Sequence, residues 1–317
     1  MNFPVFDLHC DTAMALLGKS GRECGSLSEN DLHIDLKRAG LLPGYAQCFA
    51  CFTTDDMYWF PDATPVQIFE REMESVLREL YRNQDRIAQA YTAQQIEENR
   101  KNGVMSAILT IEGTAGIGYD VELLPDLYQV GFRMTTLGWN ESNPLTGSHA
   151  TGEGLTEQGK AYVRKAQDLG MVVDVSHISD QGFWDIMDIT CKPIVASHSN
   201  SRSVCNVSRN LTDEMFKAIC KTNGVVGINQ YAEFVGDAPT LDTVCDHIFH
   251  FMELDPDGKH IALGGDLDGC ELLCDGFTGV QDYPKLASRL LERGLTEKNV
   301  ADLFWNNALG VIEKCCI

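Results

Sequence analysis

Val5-Phe6-Asp7-Leu8-His9-Cys10-Asp11 opens as an apolar run and turns polar at its end, and that turn decides how the other 310 of the 317 residues are read. A short run of this kind, Val5–His9, fits a strand buried on both faces of a parallel sheet, where polar side chains appear as the strand emerges. Seven more follow: Tyr45–Phe52, Val104–Ile111, Gly131–Leu137, Met171–Val175, Pro193–Ala196, Val225–Asn229 and Ile261–Gly264. Amphipathic stretches alternate with them. In Pro65–Arg82 the residues Phe69, Met73, Val76, Leu77 and Leu80 share one helical face, with Pro65 at the start. Pro284–Arg293 predicts another helix. Glu153-Gly154-Leu155-Thr156 leads into a third over Gln158–Leu169, which Gly170 stops. Eight strand-plus-helix units without a Ser/Gly/Pro-rich linker predict one domain over 1–317. The fold class is α/β, a TIM (β/α)8 barrel of the metal-dependent hydrolase type, with a doubly wound sheet as the other solution to the same alternation.

Composition narrows the partners. Asp plus Glu number 46 against 25 Lys plus Arg, a formal charge of −21. A mean field of that sign, with no Lys/Arg-rich run, excludes a nucleic-acid binder and predicts repulsion from anionic membranes. The start has neither a basic nor an apolar leader segment, and no apolar stretch approaches the roughly 18 residues of a membrane span. A cytoplasmic protein is expected. The twelve cysteines, Cys24 among them, are scattered through a chain large enough to need no staples, so reduced thiols are the expectation. Cys48 and Cys51 have C-x-x-C spacing but lie inside an apolar run. Cys270 and Cys274 have no partnering histidines, and both pairs read as structural thiols.

The run ends carry the chemistry. After His9-Cys10-Asp11 come Ile111-Glu112-Gly113, Asp174-Val175-Ser176-His177, Ala196-Ser197-His198 and Gly264-Gly265-Asp266-Leu267-Asp268-Gly269. Side chains two apart on a strand face the same way, so His9 and Asp11 can grip one cation. Three imidazoles and several carboxylates at a barrel mouth form a zinc-type ligand set, with more groups than one tetrahedral ion needs. Two metals bridged by Glu112 would use them all. A second His-x-Asp, His33-Ile34-Asp35, begins a probable helix instead of ending an apolar run, and reads as capping.

In these motifs the chain resembles the membrane (renal) dipeptidase family of amidohydrolase-like metal barrels. The likeness continues through Gly154-Leu155-Thr156, Ser197-His198-Ser199, Ser208-Arg209-Asn210 and the tail Asn307-Ala308-Leu309-Gly310-Val311. It implies two zinc ions per subunit, one on His9 and Asp11, the other on His177 and His198, with Glu112 between them. Sister barrels begin with His-x-His and bridge their metals with a carbamylated lysine on the fourth strand. Gly131–Trp139 holds no lysine, which agrees with a carboxylate bridge. The implied activity is zinc-dependent hydrolysis of small free dipeptides, L-Xaa-D-Xaa included, by a hydroxide bridging the metals. Asp266 is the expected proton shuttle, with Asp268 as its competitor. The family likeness also assigns Arg209 to the substrate carboxylate and suggests a homodimer. Tyr231 is a second substrate contact.

Where the renal enzyme has a histidine thought to hold the reacting carbonyl oxygen, this chain has Trp139. Indole donates one hydrogen bond and carries no charge. Asn140 or His149 takes that role, or the metal alone polarises the carbonyl. The alternatives to a dipeptidase are an amidohydrolase acting on another small amide, such as an N-acyl amino acid, and a catalytically silent metal-binding protein.

Overall fold

The computed structural model describes residues 3–18 and 25–316; Met1, Asn2, Cys24 and Ile317 lie outside them. Nine parallel strands form one sheet: β1 (Val5–Cys10), β2 (Tyr45–Phe52), β3 (Ile87–Gln89), β4 (Met105–Glu112), β5 (Phe132–Thr136), β6 (Val172–Asp174), β7 (Ile194–Ala196), β8 (Val225–Ile228) and β9 (Ile261–Leu263). Eight of them are the eight apolar runs, shifted by at most a residue or two at their ends. They close into a barrel in the order β1-β2-β4-β5-β6-β7-β8-β9, with β9 returning to β1 through Asp7 opposite Leu263. The TIM-type expectation is met, and the doubly wound alternative is ruled out by this closure.

The sequence reading missed β3, which is too short to give a hydrophobic period. It pairs with Met105–Ala107 at the start of β4, whose later residues Leu109–Glu112 pair with β5. The opposite edge of β4 is covered by β2 over seven pairs, from Ala46–Ser106 to Phe52–Glu112.

Helices wrap the barrel where their apolar faces require it. Pro65–Arg82 is a helix over the expected range, opened by Thr64, whose hydroxyl accepts from the Gln67 N–H while the Gln67 side chain accepts from the Thr64 N–H. Glu157–Leu169 is capped by Thr156 and ends at Gly170 in the left-handed region (φ 91°), as the sequence indicated. The predicted Pro284–Arg293 helix runs over Tyr283–Glu292. Among the described residues no helix is long and apolar enough to cross a membrane, and every cysteine is a free thiol.

Candidate metal centre

Every strand end singled out by sequence reaches the same mouth of the barrel. His9 lies on β1 and Asp11 just after it; Glu112 is the last residue of β4. His177 stands three residues past β6, His198 two past β7 and Asp266 three past β9. All six side chains are buried. His9 Nε2 lies 3.2 Å from Glu112 Oε2, 3.3 Å from Asp11 Oδ2 and 4.0 Å from Asp266 Oδ1. On the other side, Glu112 Oε1 is 3.0 Å from His177 Nε2 and 3.7 Å from His198 Nε2. One carboxylate therefore has one oxygen in each half of the cluster. Ligand atoms of His9, Glu112 and His198 lie within 4.8 Å of one another, as do those of His9, Asp11 and Asp266.

Hydrogen bonds on the far side of the imidazoles fix which nitrogen faces the centre. Asn140 Oδ1 accepts from His177 Nδ1 at 2.8 Å. Ser197 Oγ accepts from His198 Nδ1 at 2.7 Å and donates its own proton to Asp174. Asp174 also receives the backbone N–H groups of Ser176 and Ser197 and the Thr136 hydroxyl. With Nδ1 tied down, Nε2 of both rings is left as a lone pair aimed at Glu112, the tautomer a metal ligand needs. Burial, reinforced by the Arg209 charge, holds His177 far below the usual histidine range; for His198 burial is followed by the His9 charge.

The carboxylates show what the cluster is built to hold. Burial opposes protonation of His9, but Glu112 and Asp11 together outweigh it and lift that imidazole well above its usual range. Burial and then the Glu112 charge push Asp11 up to about 6. Burial likewise brings Asp266 to about 6, opposed by His9 and helped by Asp11 and Glu112. Asp11 Oδ1 is buried with no hydrogen-bond partner. Crowded carboxylates, the neutral imidazoles of His177 and His198 and an orphaned carboxylate oxygen fit divalent cations.

The two aspartates of the loop after β9 differ in their partners. Asp268 Oδ2 accepts from Thr12 Oγ1 at 2.7 Å, its Oδ1 from the His33 N–H at 2.6 Å, and its own N–H donates to His33 Nδ1 at 2.9 Å. It is spent on clamping the loop. Asp266, by contrast, keeps Oδ1 toward His9, while Oδ2 accepts from Asn229 Nδ2 at 3.0 Å. Both aspartates sit in the left-handed region (φ 57° and 69°), a costly conformation that the clamp maintains. Asp35 caps the Leu36–Ala39 helix as expected, but His33 belongs to this clamp instead.

A pocket of about 100 Å³ opens onto the cluster, with Trp139, Asn140, Tyr231 and Phe234 in its walls. Trp139 packs edge-on to Phe52 (5.2 Å) and Trp59 (6.1 Å), an aromatic wall only half visible in sequence. His149 is not among the residues lining this pocket. Its Nε2–H donates to Asn140 Oδ1 at 2.9 Å, Ser208 Oγ lies 2.9 Å from its Nδ1, and burial with Arg209 and Arg202 pushes it down to about 4. Asn140 is thus committed to two histidines. Arg209 is buried, donating from Nη1 to Ser199 Oγ and from Nη2 to the His198 carbonyl, with Nε unpartnered. Burial lowers it to about 10, against the pull of Asp266 and Glu112.

The sequence reading missed Thr12, Asn229 and the Asp174–Ser197 support. Asp174 was visible as a carboxylate closing an apolar run. The other contacts join residues tens to hundreds of positions apart and leave no local signal.

Fold and cluster together define a TIM-type barrel with a candidate metal centre at its C-terminal mouth. The family model described as Membrane dipeptidase (Peptidase family M19) matches residues 1–315, and the chain belongs to that family. A Schizosaccharomyces pombe protein described as an uncharacterized dipeptidase is 34% identical over 214 residues, 65% of this chain and 52% of its own length. The chain therefore spans about half of that relative. An uncharacterized protein from the pqqA 5′ region of Klebsiella pneumoniae is 31% identical over 264 residues, 78% of this chain and 96% of that one. Among solved structures, a Rhodobacter sphaeroides metallopeptidase liganded with a phosphinate mimic of the dipeptide L-Ala-D-Ala superposes with a TM-score of 0.87 at 25% identity, covering 99% of this chain and 100% of that one. A dipeptidase of family M19 gives a TM-score of 0.88 at 25% identity, over 100% of this chain and 99% of that one.

Proposed function

We propose that the protein is a dipeptidase using two zinc ions, one held by His9 and Asp11, the other by His177 and His198, with Glu112 shared. The observation that carries this reading is Glu112, whose two oxygens face the two halves of a buried ligand cluster. Divalent cations bound there supply Lewis acidity and make a bound water acidic near neutral pH. The chain's own residues do the rest. Asp266, raised to about 6 and free on one oxygen, takes a proton from the attacking water and returns it to the leaving amine. Asn140 and the Asp174–Ser197 pair hold the two imidazoles in register. Trp139 and Phe52 keep one wall of the pocket dry. Arg209, beside His198, supplies positive charge toward the substrate carboxylate. Small free dipeptides, including those with a C-terminal D-residue, match a pocket this confined, and the solved relative with a phosphinate mimic of L-Ala-D-Ala supports that class. A homodimer is proposed on the family likeness alone.

The test is hydrolysis of L-Xaa-L-Xaa and L-Xaa-D-Xaa dipeptides by chelator-treated protein with zinc restored, beside Asp266→Asn and with metal content measured. The variant should keep its zinc and lose about 10²–10⁴-fold in kcat. Full zinc loading with no dipeptide cleaved, while N-acyl amino acids are, would move the assignment to the wider amidohydrolases.

A further inference from the structure

Beside the metal pocket lies a larger cavity that the chemistry above leaves unused. It measures about 640 Å³ against about 100 Å³, within the roughly 300–1,000 Å³ typical of small-molecule sites. The two share Met14, Trp59 and Gly269 as walls. Arg209 belongs elsewhere: it lines a third, small cavity that meets the metal pocket at His177. Met14 is not among the residues of that small cavity, so Arg209 and the Met14 partition border different cavities.

The lining of the large cavity is amphipathic. Leu32 and Phe60 join Met14 and Trp59 in an apolar wall, while Asp31 and Glu271 stand exposed at its edge. Neither carboxylate is paired with a lysine or arginine among the described residues. Glu271 follows Asp266 by five positions on the loop that carries the proposed shuttle, so charge at the edge and chemistry at the centre share one segment.

We propose that this cavity is the subsite for the N-terminal residue of the dipeptide and selects a long side chain with an apolar stem and a cationic head, as in lysine or arginine. The inference rests on the dipeptidase reading above. The stem covers Met14, Leu32 and Phe60, and the head stays hydrated between Asp31 and Glu271, within reach of the Trp59 ring face. An anionic side chain meets the same carboxylates with repulsion, added to the field of a chain of net charge −21.

The experiment is kcat/KM of the zinc-restored enzyme on L-Lys-L-Ala, L-Ala-L-Ala and L-Glu-L-Ala. The lysine substrate should exceed the alanine one by about tenfold or more, the scale on which a filled apolar pocket discriminates, and the glutamate substrate should be poorest. Asp31→Asn with Glu271→Gln, both at exposed positions, should shrink the Lys-to-Glu ratio by about fivefold, the upper range for exposed ion pairs. Ala15→Trp, which intrudes on the cavity, should shrink the Lys-to-Ala ratio. Cleavage of L-Ala-L-Ala with no advantage for lysine, or a Lys-to-Glu ratio that survives the double substitution, overturns the subsite and leaves the dipeptidase reading standing. No cleavage of any dipeptide overturns both.

Discussion

Asn140 shows how much one side chain carries here. A single amide oxygen receives His177 Nδ1 and His149 Nε2, so it sets both the tautomer and the orientation of a proposed metal ligand. Asn140→Ala should weaken metal affinity by about 10–100-fold, the usual cost of losing an outer-shell partner. Titration of apo-protein with zinc against a competing chelator reads this directly, and an unchanged affinity would show that packing alone orients the ring. His247 makes a separate, purely structural case. Its Nδ1 accepts from the Ser201 N–H, its Nε2–H donates to the Val235 carbonyl, and burial pushes it down to about 4. The folded state therefore holds a neutral imidazole that the unfolded chain protonates near 6.5. Its contribution is fully present above about 6.5, declines as pH falls, and is gone near 4, a total of roughly 3 kcal/mol. Urea unfolding at pH 7.5 and pH 4.5 should show a smaller stability loss for His247→Gln than for the parent. Equal losses would place the proton-linked instability elsewhere.

Among the elements, β8 and β9 owe their approach to glycine. A Cβ on Gly227 would stand 1.9 Å from the Ser197 carbonyl oxygen, and one on Gly264 would stand 1.7 Å from it. Ser197 is backbone neighbour to His198 and hydrogen-bonds its ring, so these glycines let two strands close around the segment that presents His198. Gly264→Ala must displace that segment and should cost about 1–3 kcal/mol, as overpacking of a tight core does. Denaturant unfolding measures the loss, and a midpoint equal to the parent's would mean the Ser197 segment relaxes freely. The loop after β9 is held by other means: Thr12, next to Asp11, and His33 both fasten Asp268. The ends of the first and last barrel strands are thereby locked to each other.

At the scale of the molecule, the barrel brings several buried carboxylates to one point, with Asp11 raised by burial and Glu112, and Asp266 by burial, Asp11 and Glu112. A bound cation relieves this, so metal should stabilise the folded chain by about 2.7 kcal/mol when free zinc is a hundredfold above its dissociation constant. Thermal unfolding should shift down on chelation and recover on adding zinc. A melting temperature indifferent to chelator would mean the cluster holds its shape without a cation.

The eight barrel strands, the caps at Thr156 and Gly170, and the residues of the cluster are all legible along the chain. The physical reason is local: a strand buried on both faces must be apolar along its length and can change character only where it emerges, so His9, Glu112, His177, His198 and Asp266 stood out at run ends. What touches what came with the folded barrel. It tied Asp268 to Thr12 and to His33 from 235 positions away, and left Asp266 Oδ1 toward His9. It gave Asn140 to the histidines and buried Arg209 against Ser199 and His198. It also added β3, a strand too short to leave a period, and placed a large cavity beside the metal pocket. Contacts between distant segments carry no periodicity along the chain, so closure of the barrel alone fixes them.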